Sequence, residues 1–179
     1  MPRDEARRPG PAVRQGLSVG IATGLYGISF GALSVAAGLS VAQTCALSLL
    51  MFTGGSQFAF VGVVAAGGSG AAATAGAALL GVRNGFYGLQ LSPLLRPRGL
   101  RRPLVAHLTI DESTAVATAQ PREDEGRRGF WAAGLGVFAC WNAMTLAGAL
   151  LGDALGDPRR WGLDGAAVAA FLALLWPRL

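Results

Sequence analysis

Four stretches of this chain, Leu17–Leu39, Cys45–Ala66, Ala71–Leu91 and Gly129–Leu151, run for 21 to 23 residues each and share a single charged residue, Arg83. As helices, about twenty apolar residues cross ~30 Å of hydrocarbon. Soluble helices interrupt their apolar face with polar residues every turn, so four unbroken runs exclude an ordinary aqueous core. Inside lipid the backbone must satisfy its own hydrogen bonds, which leaves helices as the element for runs of this length. The 27 glycines suit close helix packing in lipid. A fifth uncharged stretch, Gly165–Trp176, is shorter. The expected fold is an all-α polytopic membrane protein with four or five transmembrane helices. Residues 1–16 form a polar cytoplasmic tail, and 17–179 a single multi-pass transmembrane domain that calls for no cofactor.

The formal charge of +5 does not point to nucleic acid, because the arginines cluster in loops beside apolar runs, where they orient a membrane protein. Arg3, Arg7, Arg8 and Arg14 resemble the start of a signal peptide, but the 23-residue run behind them is too long for one and reads as a retained first helix. Cys45 and Cys140 lie in apolar spans and read as small apolar residues.

Two segments break the pattern. The second span is interrupted at its centre by Gly54-Gly55-Ser56-Gln57, and the stretch Leu104–Gln120 carries His107, Asp111, Glu112, Ser113 and Thr114. Residues 121–128 read as a charged loop. If every segment crosses, including Leu104–Gln120, eight loop arginines lie inside and six outside. If the two broken segments re-enter instead, twelve lie inside and two outside, which the positive-inside rule favours. Broken backbone at membrane depth is tolerated where it lines a polar cavity.

The same topology suggests an internal repeat. Gly20-Ile21-Ala22-Thr23-Gly24-Leu25-Tyr26-Gly27 in the first span is echoed by Gly81-Val82-Arg83-Asn84-Gly85-Phe86-Tyr87-Gly88 in the third, and each span is followed by a broken polar segment. Tyr26 and Tyr87 are the only tyrosines. Re-entry of both broken segments makes the two halves an inverted repeat, a plan that places transport sites at the repeat interface.

Several residues could carry chemistry. Arg83 lies too deep in its span to reach water easily, so it reads as a bidentate clamp for a carboxylate or as a structural ion pair with Asp111 or Glu112. Asp111 and Glu112 could hold an ammonium group or exchange a proton, or they could be solvated acids on a surface helix. Gly54, Gly55, Ser56 and Gln57 could unwind a helix and aim free amides at an anion, or simply pack closely. Asn84, Tyr26 and Tyr87 complete the candidate substrate contacts. Asn142 reads as an interhelical hydrogen bond, and Phe58 and Phe60 as core. His107 lacks the companions a metal site needs, and the same scarcity argues against an intramembrane enzyme.

With these residues placed, the chain resembles the large subunit of the bacterial branched-chain amino acid exporters, the AzlC-type permeases. The resemblance runs from about Gly16 to Leu179. It includes Gly27-x-x-Phe30-Gly31, Thr53-Gly54-Gly55-Ser56-Gln57-Phe58, Arg83-Asn84-x-x-Tyr87-Gly88, Pro93, Asp111-Glu112, Phe130-Trp131, Trp141-Asn142 and Gly162-Leu163-Asp164, in the family's order. Gly81 stands where the family usually has asparagine, and family members usually continue for some fifty apolar residues more, so the chain reads as shortened at its end. The resemblance implies export of valine, leucine, isoleucine and methionine across the bacterial cytoplasmic membrane. It further implies a small hydrophobic AzlD-type partner subunit and coupling to the proton-motive force. The rival expectation is a membrane assembly subunit that does not itself transport.

Overall fold

The computed structural model describes residues 10–156, and these form helices joined by short turns. The helices are α1 (Pro11–Gly24), α2 (Gly27–Ala36), α3 (Val41–Leu50), α4 (Gly55–Ala65), α5 (Gly70–Leu95), α6 (Arg101–Leu108), α7 (Asp111–Thr118) and α8 (Glu123–Leu155). The protein is all-α. The run from Pro11 to Ala36 and α8 are long and apolar enough to cross a membrane, and α3 and α4 are shorter apolar helices. Helix α5, at 26 residues, carries Arg83. Leu79, Phe86 and Leu89 on α5 are 77%, 66% and 73% exposed, an apolar surface that suits lipid rather than water. The expected segment Gly165–Trp176, with Trp161 and Trp176, lies outside the described residues.

The chain divides into two compact units. One combines the chain up to Gly24 with Val82–Cys140, and the other combines Leu25–Gly81 with the chain from Trp141 onward. In the first unit, α1 lies along α8 through Gly16 and Gly20. A Cβ at Gly16 would stand 2.7 Å from the Ala133 nitrogen, and one at Gly20 would stand 2.9 Å from the Gly136 carbonyl carbon. In the second unit Gly31 and Gly148 do the same between α2 and α8, where a Cβ would collide with the Thr145 and Ile28 carbonyl oxygens respectively. Spacing by four residues keeps Gly16 and Gly20 on one face of α1, which lets the helix backbones nearly touch. The second unit also has an aromatic core. Phe30, fully buried, meets Phe58 edge-on at 5.6 Å and stacks on Trp141 at 5.8 Å, as expected for a packing role of Phe58.

Both segments expected to be broken are broken. The second span divides into α3 and α4 around Met51–Gly54, with Gly54 at φ +60°, a left-handed conformation that glycine adopts without steric penalty. Leu104–Gln120 divides into α6 and α7 around Thr109 and Ile110. Helix α3 opens on a reciprocal cap: Ser40 Oγ accepts from the Gln43 amide at 3.2 Å, and Gln43 Oε1 accepts from the Ser40 amide at 2.9 Å. Ser40→Ala should therefore destabilise the protein by about 1 kcal/mol, read as a lower melting temperature in detergent.

Several boundaries differ from the sequence expectation, and α1 already begins at Pro11, inside the expected 1–16 tail, with Ala12 and Gly16 buried. The first span turns at Leu25–Tyr26, between α1 and α2. The third runs through Pro93 to Leu95, because a proline in a last turn removes only one amide and the Arg96 amide still closes on the Ser92 carbonyl at 3.0 Å. The loop expected at 121–128 belongs mostly to α8. Its first turn, Glu123, Asp124 and Glu125, complements the helix dipole, and Glu123 pairs with Arg127 at 2.7 Å one turn on. Arg122 at 3.0 Å holds the Asp124 carboxyl below the usual carboxylate range.

Candidate functional site

In the first unit, α5 presents Arg83, Asn84 and Tyr87, and the start of α7 presents Asp111 and Glu112. Arg83 Nη2 stands 2.9 Å from Asp111 Oδ2. The Tyr87 side chain, one turn along α5 from Arg83, lies beside the same carboxylate. Asp111 thus stands against two α5 side chains from the first turn of α7. The side chains of Arg83 and Asp111 are 30% and 47% exposed, so the pair is reachable rather than sealed. Glu112 follows on the same turn and is more buried than Asp111. Asn84 Oδ1 is buried with no hydrogen-bond partner among the described residues.

In the second unit, the candidate residues gather at the start of α4. Gly54 caps the helix, Gly55 and Ser56 form its first turn, and the first amides of a helix have no acceptor within it. Ser56 is 1% exposed and Gln57 fully buried. Gln57 Nε2 reaches back across the break to the Leu47 and Ser48 carbonyls at 3.3 and 3.2 Å, while its Oε1 and the Ser56 Oγ have no partner among the described residues. Tyr26, at the start of α2, is 41% exposed and belongs to this unit, whereas Tyr87 belongs to the other. The sequence echo between the two tyrosines therefore does not extend to their surroundings.

The two breaks share one device. Gln57 stands three residues past Gly54, and Ser113 stands three residues past Ile110. Ser113 Oγ donates to the Leu108 carbonyl at 2.6 Å and accepts from the Ile110 amide at 3.1 Å. In both places a side chain in the first turn of the second arm bonds a carbonyl left open in the last turn of the first arm, Ser48 in one and Leu108 in the other. Sequence reading singled out Gln57 but not this role for Ser113; a polar residue three places past a break is the signal that finds both. It also gave no particular role to Ser48, whose hydroxyl lies 2.8 Å from Asn142 Oδ1 and 3.3 Å from Thr145 Oγ1, so Asn142 does serve as the expected tie between helices. His107 packs edge-on against Phe138 at 5.6 Å.

A helix carrying a guanidinium that meets the acid of a broken helix, and a second broken helix with a glycine hinge, are the elements that the residue pattern led us to expect. Residues 18–155 match the family model described as AzlC protein. The chain belongs to the AzlC family. The matched span contains both AzlC breaks, the Arg83–Asp111 pair, Tyr87 and Glu112. Family membership makes this AzlC chain a membrane protein of an amino-acid transport family. Neither a curated protein nor a solved structure matches it.

Proposed function

We propose that this chain is the permease subunit of a secondary transporter that exports valine, leucine, isoleucine and methionine across the bacterial cytoplasmic membrane, together with a small hydrophobic AzlD-type subunit. The observation that carries the reading is the Arg83–Asp111 ion pair with Tyr87 beside the same carboxylate. A guanidinium that is paired yet partly exposed can exchange one carboxylate for another. The substrate carboxylate takes the place of Asp111 on Arg83, and the freed Asp111 or the neighbouring Glu112 accepts a proton, which links substrate movement to the proton-motive force. The start of α4, with no acid of its own in the first turn, is a second seat for an anionic group. The reading assigns substrate contacts to Arg83, Asn84, Tyr87, Tyr26 and Gly54–Gln57, and no catalytic residue.

One observation favours the rival reading of a non-transporting assembly subunit: Arg83 already has a counter-ion, as a purely structural ion pair would. Efflux separates the two. Bacterial cells lacking their own exporter, loaded with dipeptides of valine, leucine or isoleucine, would express the chain with and without the small subunit. Faster efflux that requires both chains supports the exporter. Intact membrane complexes with no added efflux, beside an active family member, would leave assembly as the role.

A further inference from the structure

We propose that the first unit holds one anionic phospholipid, its phosphate in an arginine pocket and an acyl chain in an adjoining apolar groove. The pocket, about 330 Å³, is lined by Arg96, Arg98, Arg101 and Arg127, with Trp131 and Val105 among its apolar walls and no acid among the described lining residues. None of the ion pairs among the described residues involves Arg96, Arg98 or Arg101. Arg127 is partly committed, to Glu123 and to the Leu94 carbonyl. Arg96 is held at φ +45°, a left-handed conformation unusual for a residue with a side chain, and Gly99 at φ +54° helps fold the loop back onto α8. Like charges gathered this closely repel one another unless an anion joins them.

The groove identifies the anion as a lipid. It measures about 630 Å³ and is lined by Val13, Leu17, Trp131, Ala132, Leu135 and Gly136, with Arg127 and Arg128 at its charged margin. Arg127 and Trp131 belong to both cavities, so a phosphate in one continues directly into an apolar tail in the other. A soluble phosphate has no use for the groove, and a neutral lipid has none for the arginines. Tryptophan beside basic side chains suits the depth at which headgroup meets hydrocarbon. The proposal rests on membrane residence alone and stands or falls separately from the export reading.

Lipid retention tests it. The purified chain in neutral phosphatidylcholine nanodiscs doped with phosphatidylglycerol would be examined by native mass spectrometry. Phosphatidylglycerol should remain bound to the native chain. The triple variant Arg96→Gln, Arg98→Gln, Arg101→Gln should retain roughly tenfold less or lower still, given the weight of each arginine near an anionic headgroup. The double variant Leu17→Ser, Leu135→Ser should also lose it with no change of charge, and Arg122→Gln, outside both cavities, should behave as wild type. Undiminished retention by the triple variant would overturn the proposal. Loss in the triple but not the groove variant would mean diffuse surface attraction and would overturn it too. Displacement of the lipid by millimolar glycerol phosphate would reassign the pocket to a free anion. Should the triple variant fail to fold, Arg98→Gln alone gives the same reading through a smaller loss.

Discussion

Arg83→Ala is expected to reduce efflux per inserted chain roughly a hundredfold, the effect of losing a charge-assisted contact of about 2–3 kcal/mol. The same change should leave insertion intact. A sealed ion pair broken from one side costs about 3–5 kcal/mol, but Arg83 and Asp111 are 30% and 47% exposed, so solvent screening brings the stability loss nearer 1 kcal/mol. Asp111→Asn separates transport from scaffolding. It keeps the shape of the residue yet removes the carboxylate that competes for Arg83 and can take a proton. When it is combined with Glu112→Gln, so that neither carboxylate remains, efflux should no longer respond to collapse of the proton gradient. Wild-type efflux from Arg83→Ala, or a fall in complex yield with unchanged flux per complex, would remove Arg83 from the transport step.

Gly31→Leu is expected to be the most damaging single change to the fold. A Cβ there collides with the Thr145 carbonyl oxygen and lies 2.6 Å from the Ala149 nitrogen, both backbone atoms that cannot rotate away. Overpacking commonly costs 1–3 kcal/mol, and separating two helices along a seam should exceed about 3 kcal/mol. Little monodisperse protein should survive detergent extraction. Gly85→Leu is the matched control. A Cβ at Gly85 meets nothing within 4 Å, so its effect should stay within about 0.5 kcal/mol. Equal extraction yields from the two variants would show that the seam is not what holds α2 to α8.

These two glycines also mark what the sequence could and could not convey. Apolar run length was enough for the all-α membrane fold, and Gly54 and the polar stretch around Asp111 announced both breaks. The turn at Leu25–Tyr26 was hidden, because nothing in a run of apolar residues and glycines distinguishes a hinge from a packing face. Gly24 and Gly85 look alike in the sequence echo, yet one packs on Cys140 and the other faces open space. The start of α8 read as a loop because its charges outweighed its hydropathy, although those charges pair along the helix and stabilise it. Arg83 was legible as a cation needing a partner, while the sequence left Asp111 and Glu112 as equal candidates and the start of α7 brings Asp111 to it.

The basic loops bear on topology. Arg127 Nε donates to the Leu94 carbonyl at 2.9 Å, and Gln120 Nε2 donates to Gln15 Oε1 at 2.8 Å. The end of α5, the end of α7 and the starts of α1 and α8 therefore meet at one end of the first unit. The chain from Arg96 to Gln120 leaves and returns at that end, as re-entry of α6 and α7 requires. Had Leu104–Gln120 crossed outright, Arg96 and the start of α8 with Arg127 would lie on opposite faces.

The short arms also constrain how the chain is made. Helices α3 and α4 have 10 and 11 residues, and α6 and α7 have 8 each. At 1.5 Å per residue none reaches much beyond ~16 Å, about half the hydrocarbon thickness. An insertion machinery that releases segments into lipid by their apolar length has no reason to release such an arm alone. The first arm of each pair, α3 or α6, leaves a backbone carbonyl open until Gln57 or Ser113 closes it from the following arm. The arms must therefore enter in pairs, and only after a full-length helix has given them a protein surface to enter against. During synthesis the α1–α2 run and α5 serve as that surface in turn, so the order of helices along the chain is also an order of assembly.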